Sequence, residues 1–293
     1  MQGKNNMQKI ESTRQKANAL ISSARHAAED LFEAGDLHEY LDLLTRFQNL
    51  DVHNLLLILL QYPKAVHLSS QQEWKKLLDN PDEPIIKPEW RGKGIDVIVP
   101  YTDDSNNKKF SLHWISIKIY DISQTTLTHF DPPSTYIHDS DHISYLLESL
   151  KSAIASEYHR SVMYIPSSAN LRATKLPGVM DEYTVMVRDD IQDKEKVYYL
   201  SECLSKLALM NHSEFTNPQI NLATQQVCYC LQRIWKIPPS DFPHVNKFIL
   251  TNVSKTLQLE YLSMLQTTVR SLDESISYCY RQLRQAADEI FEY

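Results

Sequence analysis

The sequence predicts an α+β protein: N-terminal helices packed on a small antiparallel sheet, then a mostly helical second domain with a long C-terminal helix. Three observations carry this. Five glycines stand against thirteen prolines, which favours helices over a turn-rich all-β fold. Residues 94–100 (GIDVIVP) and 110–120 (FSLHWISIKIY) alternate apolar and polar side chains, as half-buried strands do. Residues 252–291 contain neither Pro nor Gly and carry apolar residues at alternating spacings of three and four.

Taken in order, residues 8–34 place Ile10, Ala17, Leu20, Ile21, Ala24, Ala28, Leu31 and Phe32 at helical spacing, and Gly35-Asp36 ends the run. Two shorter helices are expected over 37–47 and 51–61, before Pro63. The polar DDSNNKK between the two alternating stretches reads as a hairpin loop. Residues 129–141, with Pro132-Pro133, read as a linker, giving domains 1–128 and 129–293. The second domain should hold a helix near 140–160, strands near 161–165 and 183–188, and helices near 194–211 and 218–236. The 252–291 stripe (Leu262, Leu265, Val269, Leu272, Ile276, Cys279, Leu283, Ala286, Ile290) fits a coiled-coil dimer or a long helix lying on its own domain. Cys, Ala and the flanking Tyr residues suit a zipper poorly, so the second reading is preferred and a homo-oligomer through this helix is not.

Composition excludes several classes. The chain is 42% apolar and 23% charged, an ordinary globular balance. Its longest apolar run, 55–60, is far short of the roughly 20 residues of a membrane span. The N-terminal MQGKNNMQKIESTRQKA is polar and of mixed charge, so no secretory leader is expected. Four cysteines in apolar, helix-like segments suit buried thiols in a reducing cytoplasm rather than a disulfide framework. Net charge is −7, unevenly spread: residues 1–118 hold 15 Lys and Arg against 16 Asp and Glu, and the rest 15 against 21. A nucleic-acid site would therefore be a local patch, expected in the first part. No Gly-rich phosphate loop and no Gly-x-Ser-x-Gly elbow occurs.

The RGKGI turn is the most suggestive local cluster, with Lys87 and Trp90 before Arg91 and Lys93. It reads either as a loop whose backbone approaches phosphate beside a stacking face, or as a β-turn with Trp90 packed on the core. Asn54 could contact DNA, or it could cap or cross-link neighbouring helices. Lys75-Lys76 and Lys108-Lys109 read as solvated, as do His138 and His142, four apart in a polar segment. In KVYYLSECLSKLALMNH (196–212), Glu202 sits on an apolar helix between Ser201 and Ser205. A carboxylate so placed needs partners if it is buried.

Several stretches, in order, resemble the ArdC/LtrC-type proteins of bacterial plasmids and conjugative elements. They are Asn54 opening NLLLILLQYPKA, then Trp74, RGKGIDVIVP, and YDISQT; Gln61, Pro63, Ala65, Gly92, Gly94, Ile95, Pro100, Asp121, Ser123, Gln124 and Thr125 all fit the pattern. Gly178, YTVMV at 183–187 and SLDESI extend the likeness into the second half.

The resemblance implies an N-terminal domain that binds single-stranded DNA through residues 1–125, with Asn54, Trp74, Lys87, Trp90, Arg91 and Lys93 as candidate contacts and an antirestriction role. It also implies a zincin-like domain in which an HExxH helix and a later acidic residue hold zinc. Here Glu202 takes the glutamate position, Ser201 and Ser205 the two histidine positions, and Gln225 the acidic one. Hydroxyls and a carboxamide are poor zinc donors, so a decayed site is expected: no metal, no cofactor and no catalytic residue. The four remnant residues should cluster, with Glu202 satisfied by hydrogen bonds. Two alternatives stand. The remnant groove could hold a peptide or protein partner without cutting it, or zinc could be bound by residues outside the pattern, such as His212, Glu214, Cys228 or Cys230.

Overall fold

A computed structural model describes residues 2–78, 84–102, 112–127, 130, 135–137, 139–166, 176–238 and 247–291. The fold is α+β. It divides into one unit of Met1–Pro132 with Thr251–Ser263, and a second of Pro133–Leu250 with Met264–Tyr293. The hairpin loop, Lys108-Lys109, His138 and Pro132-Pro133 of the linker lie outside the described residues.

The first unit opens with α1 (Gln2–Ala34), which buries Ala17, Ala24, Ala27, Ala28 and Phe32 along one stripe. Small side chains there let the helix approach the sheet closely. Gly35, at positive φ, ends it by donating its N–H to the Leu31 carbonyl. Next come α2 (His38–Arg46) and α3 (Val52–Gln61). Asp51 caps α3 by accepting from the His53 and Asn54 amides. A short β1 (Leu68–Ser70) leads into α4 (Gln71–Lys75), and β2 (Ile95–Thr102) and β3 (Leu112–Asp121) follow. The sheet is antiparallel in the order β1-β3-β2, with Ile95 opposite Ile119. The alternation at 94–120 thus produces the strands it predicts, while β1 is too short to read from the sequence.

Strand β2 is an edge, and α3 closes it. The Asn54 carboxamide accepts from the Ile98 amide and donates to the Ile98 carbonyl, both at 2.8 Å. Seven residues on, two helical turns along the same face, Gln61 does the same to Asp96, at 2.9 Å each way. The next outward position of β2 is Pro100, which has no N–H to satisfy. Asp121 anchors the other side of the sheet: it accepts from the Val66, His67 and Ser123 amides while Gln124 accepts from its own N–H. The Trp74 indole donates to the Tyr120 carbonyl at 2.8 Å inside a cluster with Ile85 and Ile86.

Residues 251–263 belong to this unit. Tyr261 meets the Phe32 ring edge-on at 5.7 Å, and Lys255 pairs with Glu29 at 2.8 Å. The expected second domain therefore loses this segment to the first unit.

The second unit contains α5 (His142–Tyr158), β4 (Ser161–Ile165), β5 (Gly178–Met180) and β6 (Thr184–Arg188), then α6 (Asp193–Leu209), α7 (Asn217–Ile234) and α8 (Lys247–Thr251). The last helix, α9 (Gln258–Phe291), begins in the first unit and continues in the second. The sheet order is β4-β6-β5, parallel on one side of β6 and antiparallel on the other. A Cβ on Gly178 would fall 2.1 Å from the Met186 carbonyl oxygen, so only glycine allows this pairing. Helix α6 packs against α5, α7 and β6. The α9 stripe Leu265, Val269, Leu272, Ile276 is buried within the chain itself, as the preferred reading expected.

The solvated reading of His142 is overturned. It is 1% exposed, with Nε2 at 2.7 Å from the Trp235 carbonyl and Nδ1 at 2.9 Å from the Tyr280 hydroxyl. Beside it the Asp273 carboxylate accepts from the Tyr136 hydroxyl at 2.7 Å and the Trp235 indole at 3.0 Å. These partners come from residues up to 138 apart in sequence, so spacing around His142 gives no sign of them.

Two outcomes are expected. Replacing Asn54 by Ala leaves the outward Ile98 amide and carbonyl unpaired, costing about 2–4 kcal/mol. Native-state hydrogen exchange should show the Ile98 amide accelerating before the second unit changes. The second concerns acid. Burial opposes the charge on Asp96, but Lys16 at 2.6 Å and Lys118 at 3.1 Å outweigh it and hold its carboxyl below the usual value of 3.8. A lowered folded-state value stabilises above the unfolded one and is lost as pH falls below about 3.8. Acid titration of Asp96→Asn should therefore show shallower stability loss in that range than the parent chain.

Candidate functional site

The first unit presents a compact aromatic and basic patch. Lys87 caps a short 3-10 turn, Pro88–Trp90, and Gly92 follows at φ +73° before β2 begins. Gly94 is needed for packing, since a Cβ there would sit 2.7 Å from the Ile119 carbonyl oxygen. Trp90 is half-buried: it packs on the Trp74 cluster and meets Tyr62 edge-on, ring centres 5.9 Å apart. Tyr62 is held in turn by the Ser123 hydroxyl at 2.9 Å, and the Lys87 ammonium donates to the Ser123 carbonyl at 2.7 Å. Arg91 and Lys93 are exposed and form no ion pair among the described residues. Lys75 is solvated and Lys76 pairs with Glu73 at 2.8 Å.

The geometry is that of the β-turn reading, with Gly92 at positive φ and Trp90 packed on the core. The glycines serve the backbone and Trp90 anchors to the core, yet part of its ring and both cations face solvent. Tyr62 was not singled out from the sequence, where it is one aromatic inside a Gln-x-Pro stretch.

Asn54 and Trp74 leave the set of DNA contacts. Asn54 is 5% exposed, with its carboxamide engaged by Ile98 and Asp51, and Trp74 is 2% exposed. A base reaching either would have to break the hydrogen bonds that hold α3 to β2 or the indole to Tyr120. Lys87, Trp90, Arg91 and Lys93 remain.

In the second unit, α6 and α7 lie side by side, and two of the four remnant residues face the contact. Ser201 and Ser205 are fully buried. The Ser201 hydroxyl donates to the Tyr198 carbonyl and that of Ser205 to the Ser201 carbonyl, each at 2.8 Å. Their neighbour across the interface is Cys228, whose thiol lies 3.4 Å from the Ser205 oxygen.

Glu202 and Gln225 are both exposed, so Glu202 is not the embedded carboxylate that the apolar sequence around it suggests. The reason is helical phase. Helix α6 is covered on most sides, leaving a narrow solvent stripe through Glu195, Glu202 and Lys206. Glu202 lies on that stripe and needs no buried partner. On α7 the inward position is Cys228, one turn beyond Gln225.

The donors present do not fit a zinc ion. The two hydroxyls already donate to carbonyls. Burial pushes the Cys228 thiol up to about 12 and the Cys203 thiol up to about 11, so both favour the neutral thiol. His212 is half-exposed beyond the end of α6 and pairs with Glu214 at 2.7 Å, which holds the Glu214 carboxyl below its usual value. Cys230 is buried. Among the described residues, no group of three His, Cys, Asp or Glu could hold a metal ion. No helix among them is long and apolar enough to cross a membrane.

No known protein family matches the chain by its profile, and no curated protein matches it in sequence. Among solved structures, the chain is similar to the antirestriction protein ArdC of plasmid R388, in its metal-free crystal structure. The two are 12% identical, the alignment covers 87% of this chain and 98% of that one, and the TM-score is 0.49.

The thiol environments lead to a test. In the native chain at mildly alkaline pH, the half-buried Cys279 should react first with a disulfide reagent. Cys203, Cys228 and Cys230 should react only after denaturation. A second fast thiol in the native chain would mean that the α6–α7 contact opens far more readily than its packing indicates.

Proposed function

We propose that the chain binds single-stranded DNA through its first unit, as an antirestriction-type accessory protein of a mobile element, with a second unit that resembles a zinc peptidase and no longer cuts. The observation that carries the reading is the Trp90–Tyr62 pair bordered by Lys87, Arg91 and Lys93. The indole offers a stacking face to any unpaired base, and the cations neutralise phosphates and release counterions. Such contacts ignore base identity, so sequence preference should be slight. The near-neutral balance of residues 1–118 limits affinity to about micromolar at physiological salt. For the second unit, support comes from the donor chemistry: two committed hydroxyls, an exposed carboxamide and protonated thiols.

The full chain is the right material, because Thr251–Ser263 belongs to the first unit. Fluorescence anisotropy with a labelled oligothymidylate should give binding that weakens steadily as salt rises. Changing Arg91 and Lys93 together to Ala should remove most of it and flatten the salt slope by about two. No detectable binding at low salt, or binding untouched by the double change, would refute the reading. Elemental analysis should find well under one zinc per chain. A full equivalent that disappears with Glu202→Ala or His212→Ala would restore the peptidase alternative.

A further inference from the structure

A second aromatic station lies elsewhere on the first unit. The recess between α1 and the start of β3 is lined by Glu11, Arg14, Gln15, Asn18, His113 and Trp114. Helix α1 buries the stripe through Ala17, Ala24 and Ala28, while positions 11, 14, 15 and 18 run along a neighbouring stripe and form one wall. Trp114 forms part of the other wall and is 39% exposed, among the largest apolar side chains the unit leaves in solvent. An indole in water beside two carboxamides, an arginine and an imidazole is neither core packing nor a charged solubilising face. Part of its surface is open to solvent, and the groups around it, the Glu11 carboxylate included, are hydrogen-bonding ones.

We infer that this recess receives one unpaired base of a single-stranded nucleic acid, stacked on Trp114, with Gln15 and Asn18 at its hydrogen-bonding edge and Arg14 at the adjoining phosphate. The inference rests on the single-strand reading above and adds a site to it. Each component has a reason. Stacking on an indole tolerates any base. A carboxamide both donates and accepts, and so can adapt to any base edge. Arg14 supplies a planar cation for phosphate, tempered by Glu11 at 3.8 Å, so its contribution to salt dependence should be small. Trp114 lies opposite Pro100, five residues along β2 from Ile95, where the RGKGI turn enters the strand. That is about 17 Å along the strand, a distance a few unpaired nucleotides can span.

The test compares the full chain with Trp114→Ala, Trp114→Phe and Arg14→Ala on labelled oligothymidylate and on an abasic oligomer that keeps the phosphates. Trp114→Ala should weaken oligothymidylate binding about 5- to 100-fold. It should leave the salt slope and the abasic affinity unchanged, and Trp114→Phe should recover most of the loss. Arg14→Ala should instead lower the salt slope by up to about one. Unchanged thermal unfolding in Trp114→Phe separates lost stacking from lost folding. If the parent chain binds and depends on Arg91 and Lys93 but ignores Trp114→Ala, this site is refuted and the single-strand reading stands. An equal loss on the abasic oligomer also refutes it, because the effect would then be structural. A parent chain that does not bind overturns both.

Discussion

The first unit depends on how the outer edge of β2 is closed. A three-stranded sheet has two edges, and an open edge invites pairing with another chain. Among the described residues no fourth strand is used. Asn54 and Gln61, two helical turns apart on α3, copy a strand's donor and acceptor pattern onto Ile98 and Asp96, and Pro100 removes the donor at the next outward position. A helix can replace a strand this way only if both residues are carboxamides, since a carboxylate cannot donate and an ammonium cannot accept. The same bonds fix the height and rotation of α3 against the sheet. Asp51, which caps α3, also accepts from the Asn54 side chain at 2.6 Å, so cap and clamp form one device.

This device explains what the sequence resemblance carries. Asn54, Gln61, Asp121, Gln124, Gly94 and Trp74 each satisfy a backbone group or permit a close approach. They are legible as a pattern because backbone geometry leaves them few substitutes. The same fact misleads about function, since Asn54 and Trp74 attract attention as polar and aromatic residues and turn out to be buried. Residues that meet solvent, such as Tyr62, Trp90 and Trp114, obey weaker rules. Trp114 reads in the sequence only as one position of an alternating strand, and its exposure follows from the placement of α1, which no local pattern encodes.

In the second unit the element types were legible and the phase was not. The helices at 193–209 and 217–234 fall within two residues of their expected bounds. For a helix covered on one side, the apolar stripe identifies the buried face. Helix α6 is covered by α5, α7 and β6, so apolar residues occupy most of its circumference and the stripe loses its meaning. Glu202 then looks embedded, when it marks the narrow strip open to water. The His142 network fails for the opposite reason, because its partners Trp235 and Tyr280 are distant in sequence.

The charge arrangement narrows what any ligand of the first unit can use. Several of its cations are spent on structure: Lys16 and Lys118 on Asp96, Lys76 on Glu73, Lys255 on Glu29. With 15 basic residues against 16 acidic ones in residues 1–118, no broad positive field remains to draw in a phosphate backbone from a distance. On the single-strand reading, affinity must then come from contact. A stacked base contributes about 1–3 kcal/mol, and that term changes little with salt. The phosphate term falls with every rise in ionic strength. With few free cations and aromatic faces in two places, stacking must supplement what Arg91 and Lys93 supply. That balance favours unpaired strands, whose bases are free to stack, over duplexes, which offer chiefly their phosphates and groove edges.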